Sequence, residues 1–279
     1  MMDLPRTAPR WRAVAFALAS TLVAAAGISH PARASEFALA VSPPRFELEM
    51  KPGERSRQVL EITNASAAAS TFAVKTADWT FGMDNQVTFH EELRDGSCRP
   101  WVAVERRELT VSGGRPYRFR FEVTTPADAK PSECRFAIML EGQEQVSRAD
   151  TGPAIPFTAR LGVVVYVAIG GAAPDLNVVG AGVQTINGLP TPVLQVRNSG
   201  NAHGRLAGFL SGTDAANTAL EFAPGTLPIL PGETRNIPLT ASKPGDPETA
   251  VAVRFPVTVR GKLEWGKGQT QNVEQRFAP

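Results

Sequence analysis

The chain repeats itself. One segment reads PGERSRQVLEITNAS (residues 52–66) and another reads LPTPVLQVRNSG (residues 189–200), with the second Asn, Asn198, 134 positions after the first, Asn64. The first copy is followed by LTVSGGRPYRFRFEV (109–123) and CRFAIML (134–140), the second by LPILPGETRNIPLTA (227–241) and VRFPVTV (253–259). Each copy therefore offers a strand ending in an Asn turn, then a Gly-containing turn, a strand, and a final strand of alternating apolar residues. Similarity at a domain-sized offset predicts two related modules rather than one large fold.

The first residues read as an export signal. Arg6, Arg10 and Arg12 give a positive start, residues 13–28 are apolar, and Ala32-Arg33-Ala34 is a small-residue cleavage site. The apolar run has 16 residues, short of the roughly 18–20 that a membrane span needs. The expectation is a leader at 1–34, cleaved after Ala34, and a protein exported from the cytoplasm with no stable membrane insertion. Cleavage takes four Arg and one Asp from 29 basic and 27 acidic residues, leaving 25 and 26 and a net charge of −1. The basic balance belongs to the leader, so no nucleic-acid partner is expected. The 245 residues that remain suffice for two sandwich-sized domains.

Strand signals dominate those 245 residues. RFRFEV (118–123) alternates charged and apolar side chains, as do QVLEIT (58–63), TFAVK (71–75) and VLQVR (193–197). Turn residues such as Pro52-Gly53, Gly113-Gly114 and Pro231-Gly232 punctuate the runs. The pattern predicts an all-β chain of two tandem β-sandwiches, at 35–170 and 173–279. The apolar strand LGVVVYVAI (161–169) closes the first and Gly170-Gly171 opens the hinge. Trp101, Phe119, Phe121, Phe136, Ile138 and Val163 are expected in or beside the first core, and Leu194, Val196, Phe255 and Val257 in the second.

Candidate chemistry is sparse. Past the leader the only histidines are His90 and His203, neither in a metal-ligand spacing, and no catalytic or phosphate-binding motif is present. The reading is a protein that is not an enzyme and needs no cofactor or metal. Cys98 and Cys134 are an even pair in an exported chain, most simply one disulfide. Asn64-Ala-Ser66 fits a glycosylation sequon, but the same residues make a good turn.

AVSPPRFELEMKPGE (40–54) followed by QVLEITN (58–64) resembles the opening of the periplasmic pilus, or fimbrial, chaperones, in which an early strand carries an Arg and the next strand ends in Asn. WVAVERRELTV (101–111), RFRFEV, FAIML (136–140) and TARLGVVVY (158–166) follow in that family's order. The resemblance implies a boomerang of two immunoglobulin-like domains that lends a secreted pilus subunit the edge strand it lacks, a mode of β-augmentation, and delivers it to an outer-membrane usher. It implies that two basic side chains in the interdomain cleft hold the subunit's terminal carboxylate, with Arg45 as the first. Gly162 stands where the second, a Lys, is expected, and Arg160, two residues earlier on the same strand face, is the candidate to replace it. No acid of the chain's own is expected to neutralise the two. Ile155, Phe157, Ala159 and Leu161 alternate as a donor strand, interrupted by Pro156 and preceded by Gly152-Pro153; a proline there fits an edge strand. A structural or adhesive envelope protein with paired sandwiches is the competing reading.

Overall fold

Alternation decides the strands. In Pro116–Thr124, Phe119, Phe121 and Val123 are buried on one face while Arg118 and Arg120 face solvent, as the pleat requires of a half-buried strand. The computed structural model describes residues 38–143 and 158–279, with the strand backbones of Gln145–Ser147 and Ile155–Phe157. The expected leader and its cleavage site lie outside the described residues. Among those described, no helix is long and apolar enough to cross a membrane.

The first half contains β1 (Leu39–Ser42), β2 (Arg45–Met50), β3 (Arg55–Asn64), β4 (Ser70–Phe81), β5 (Val87–His90), β6 (Val102–Val104), β7 (Glu108–Val111), β8 (Pro116–Thr124), β9 (Ser132–Gly142), β10 (Gln145–Ser147), β11 (Ile155–Phe157) and β12 (Arg160–Ile169). One sheet runs β1-β3-β8-β6 and the other β2-β12-β9-β4-β5, with β7 on β4; β10 and β11 form a separate hairpin. Leu60 and Phe119 from the first sheet meet Phe136, Ile138 and Val163 from the second in one buried cluster. Phe121 stands edge-on to Phe46 and Phe136, with ring centres 5.0 and 6.2 Å away, the geometry aromatic quadrupoles favour. Cys98 and Cys134 form a disulfide with a Cα separation of 5.7 Å, joining the loop before β6 to β9.

The second half contains β13 (Leu176–Ile186), β14 (Leu189–Asn198), β15 (Leu210–Thr213), β16 (Ala219–Pro224), β17 (Thr234–Lys243), β18 (Asp246–Ala250), β19 (Val257–Trp265) and β20 (Gln269–Phe277). They form one sheet in the order β13-β14-β17-β16-β15-β19-β20, with β18 on β17. It curls around its own core of Leu194, Val196, Phe222, Ile237, Val257 and Phe277. Its end strands meet where Val178 N–H donates to Gln271 Oε1 at 3.1 Å. Every residue expected in a core is there; Trp101 and Phe255 are partly buried beside it.

The repeat extends to the main hydrogen bonds of the two turns. Asn64 and Asn198 are both fully buried. Asn64 Nδ2 donates to the carbonyls of Ala68 (2.8 Å) and Val111 (3.1 Å), and its Oδ1 accepts from Ser66 N–H at 3.0 Å. Asn198 Nδ2 donates to Ala202 and Ile229 (both 2.8 Å), and its Oδ1 accepts from Gly200 N–H at 2.9 Å. Gly114 N–H and Gly232 N–H then bond the main-chain carbonyls of Asn64 and Asn198. Each Asn closes its own turn and ties it to a distant segment, Val111 on β7 or Ile229 in the stretch between β16 and β17, supplying partners that buried backbone groups must have. The Asn64 amide is thus fully used inside the fold, as the turn reading requires.

Between the halves, β12 ends at Ile169 and the chain reverses through Gly170 and Gly171, at φ of 61° and 82°. Side-chain-bearing residues rarely take up that left-handed conformation. Ala173 N–H is then caught by Asn201 Oδ1 at 2.9 Å.

Candidate partner-binding edge and interdomain cleft

The last strand of the first sandwich is only half covered. β12 pairs with β9 over all ten of its residues, but its parallel partner β2 begins with Arg45 opposite Val164. Among the described residues, positions 160–163 have no strand on that side. The cause is local: Pro43 and Pro44 precede Arg45, and proline has no N–H to give a ladder. The chain uses them to cross from β1, in one sheet, to β2, in the other.

The expected donor residues divide at this point. Ile155 and Phe157 lie in β11, paired with β10 and not with β12; their side chains lie outside the described residues. Ala159 is half-buried and its carbonyl accepts from Gly142 N–H at 3.0 Å. Leu161 packs beside the first core.

The two expected basic residues are not brought together. Both face outward on the same sheet, but the register sets Arg160 four residues ahead of Val164, the neighbour of Arg45. At about 3.3 Å per residue that separation is about 13 Å. Nor are they free of acids, as the sequence reading expected. Arg45 Nε bonds Glu47 Oε1 at 2.8 Å. Arg160 pairs with Glu141 at 2.9 Å and Glu91 at 3.4 Å, and shares Glu141 with Lys75 at 2.7 Å. The Lys75 hydrogen bond is the main reason that the Glu141 carboxyl is held below its ordinary range. The Phe89 ring occupies the space beside Gly162: an ideal Cβ there would lie 2.3 Å from Phe89 Cζ, so a side chain at this position requires the ring to move.

Further along the same face, residues of both sandwiches line a cleft of about 360 Å3 that includes Glu47, Glu133, Tyr166, His203 and Arg205. His203 comes from the turn after Asn198, and its ring stacks on Tyr166 with centres 3.8 Å apart. Its Nδ1 lies 2.6 Å from Glu133 Oε2, which also accepts the His203 N–H at 3.0 Å. Its Nε2 is 3.6 Å from Glu47 Oε1, and Arg205 Nε reaches the same oxygen at 3.5 Å. Glu47 is therefore pulled down from 4.5 to about 2, first by His203, with burial opposing and Arg45 assisting. Burial alone would lower the His203 pKa, but the hydrogen bonds to Glu133 and then Glu47 outweigh it, leaving it raised. The imidazolium is thus favoured between two carboxylates, and it bridges the sandwiches.

Sequence reasoning missed His203, Arg205 and Glu133. A signal existed for His203. The turn after Asn64 has Ala69 where the turn after Asn198, at the same offset, has His203.

No known family model and no curated protein matches the sequence. Solved structures do resemble it. The class 5 fimbriae chaperone CfaA is 13% identical with a TM-score of 0.44, covering 86% of this chain and 99% of its own. The CupB2 chaperone of Pseudomonas aeruginosa is 10% identical with a TM-score of 0.44, covering 86% and 100%. The Salmonella enterica SafA pilin in complex with the SafB chaperone gives 10% and 0.44, covering 87% and 98%.

Proposed function

We propose that this chain is an exported periplasmic chaperone, or chaperone-like accessory, that binds secreted pilus subunits by lending them a strand edge and delivers them to an outer-membrane usher. Its domains on this reading are a leader at 1–34 and sandwiches at 35–170 and 173–279. The observation that carries the proposal is the uncovered end of β12 at 160–163, because an unpaired edge is a template for another strand. An added strand must stop where β2 begins, at Arg45. If it runs parallel to β12, its terminal carboxylate arrives at that guanidinium, whose planar fork suits it. Arg45 is then the anchor. Arg205 contributes a second positive charge through their shared partner Glu47. Arg160 holds the other end of the gap, and Ala159 and Leu161 continue the donor edge.

The test is co-purification of a co-expressed pilus subunit from the periplasm, with melting temperature as the folding control. Arg45→Ala should leave the fold intact and cut capture by roughly 10–100-fold, the equivalent of a charge-assisted hydrogen bond of about 1.5–3 kcal/mol. Arg160→Ala should cost less, because Glu141 and Glu91 already engage it. Equal capture by wild type and Arg45→Ala would remove the anchor and favour the envelope-spacer reading.

A further inference from the structure

Arg235 is a charged residue on the buried face of β17. Its neighbours on that face, Ile237 and Leu239, are core residues, and Arg235 itself is only 2% exposed. Its guanidinium leaves its own sandwich. Nη1 donates to the Gly82 carbonyl at 2.9 Å and to Asn85 Oδ1 at 3.1 Å; Nη2 donates to the Phe81 carbonyl at 3.3 Å. The Phe81 ring centre is 4.3 Å from its carbon, and Glu233 Oε2 balances the charge at 3.1 Å. All the gripped groups lie at the turn joining β4 to β5. Beside this contact, Leu230 of the second half packs with Trp79 and Tyr166 of the first.

The other end of the same hairpin touches the uncovered end of β12. Phe89, on β5, fills the space above Gly162, and Glu91, just past β5, pairs with Arg160 at 3.4 Å. The β4–β5 hairpin thus links a buried cation of one sandwich to the outward face of residues 160–162 of the other.

We propose that the hairpin is a clasp over the free end of β12, that Arg235 is the positioning residue that holds it, and that the second sandwich thereby sets whether this face is covered. Its importance for subunit binding rests on the function proposed above; the clasp itself does not. With the hairpin held, the Phe89 ring fills the space a side chain at position 162 would take. With it released, the face opens and Arg160 loses one of its acids.

A double-mutant cycle read by amide hydrogen exchange tests this on the purified full-length exported protein. Arg235→Met paired with Glu233→Gln, which leaves no unpaired acid, should speed exchange at residues 87–91 by at least about tenfold, the equivalent of one of the three charge-assisted hydrogen bonds removed. The β14 amides should stay protected. Gly162→Ala should produce a similar acceleration by pushing Phe89 away. Combined, the changes should give no more than either alone, because a released hairpin has no clash left to relieve. Arg235→Lys, which keeps a donor to the same carbonyls and loads the second core least, should restore part of the protection. Multiplicative acceleration in the combined variant would overturn the proposal, as would unchanged exchange in Arg235→Met. Failure to capture any subunit would leave these outcomes as they are and would count only against the chaperone reading.

Discussion

The two sandwiches share a framework and differ at their edges. Both hang on a buried Asn whose amide bonds carbonyls four residues on and on a distant segment, and whose Oδ1 closes the same two-residue turn. The second wraps a single sheet until its end strands meet at Val178 and Gln271. The first keeps two sheets and leaves the start of its last strand uncovered. An unpaired edge is where another chain can pair, so on the function proposed above the first half is the one that binds, through the end of β12 that β2 leaves uncovered. The comparison teaches that the shared Asn turns belong to the framework, and that the proposed function rests on features in which the copies differ.

The sharpest stability contrast should come from the disulfide, which only the first sandwich has. Cys98→Ala with Cys134→Ala opens a closure spanning 36 positions and should cost the first sandwich about 3–4 kcal/mol on the chain-entropy model. The second should unfold as before, so calorimetry should show one transition moving and one standing still. Both moving together would mean that the halves do not unfold as separate units.

The Asn turns come next. Asn64→Ala removes bonds to the Ala68 and Val111 carbonyls and to Ser66 N–H, Asn198→Ala removes bonds to the Ala202 and Ile229 carbonyls and to the Gly200 and Asp175 N–H groups, and each should cost about 2–3 kcal/mol. Near-equal losses in urea melts would show that the copies are energetically as well as geometrically equivalent. A loss at only one position would mean that one turn has become dispensable.

The smallest effect should be the pH dependence of the cleft. The His203 pKa is raised on folding, so its contribution is complete below the unfolded value of about 6.5 and fades as pH rises through the folded one. Glu47 is lowered to about 2, so its contribution is present above its ordinary 4.5 and lost as pH falls from there toward 2. The contact between the halves should therefore be strongest between about pH 4.5 and 6.5. Melting temperatures at pH 6 and pH 9 should differ more for wild type than for His203→Gln; equal slopes would show that the imidazole is not the titrating group.

Much of this was legible in the sequence. Alternation placed Phe119, Phe121, Phe136 and Leu194 inside because a strand's side-chain period is a local property. The Asn turns were visible because the chain repeats them. Arg235 left a trace that only the repeat makes readable. Aligned on Gly114 and Gly232, it falls at the position of Tyr117, on an apolar face. What stayed hidden depends on pairing between distant segments. Whether Arg160 lies near Arg45 turns on where β2 starts against β12, a register that no spacing within either strand fixes. The clasp needs three separate pieces of chain, at 81–91, 160–162 and 233–235, to meet.

The most direct test of β12 as the lending edge is amide exchange on the protein alone and in complex with a co-expressed pilus subunit. Residues 160–163 should exchange at least about tenfold more slowly in the complex, as amides entering a shared sheet do, while β13 and β20 of the second sandwich should not change. Protection appearing on β13 or β20 instead, or an unchanged rate at 160–163 with subunit bound, would contradict the assignment of β12 as the lending edge.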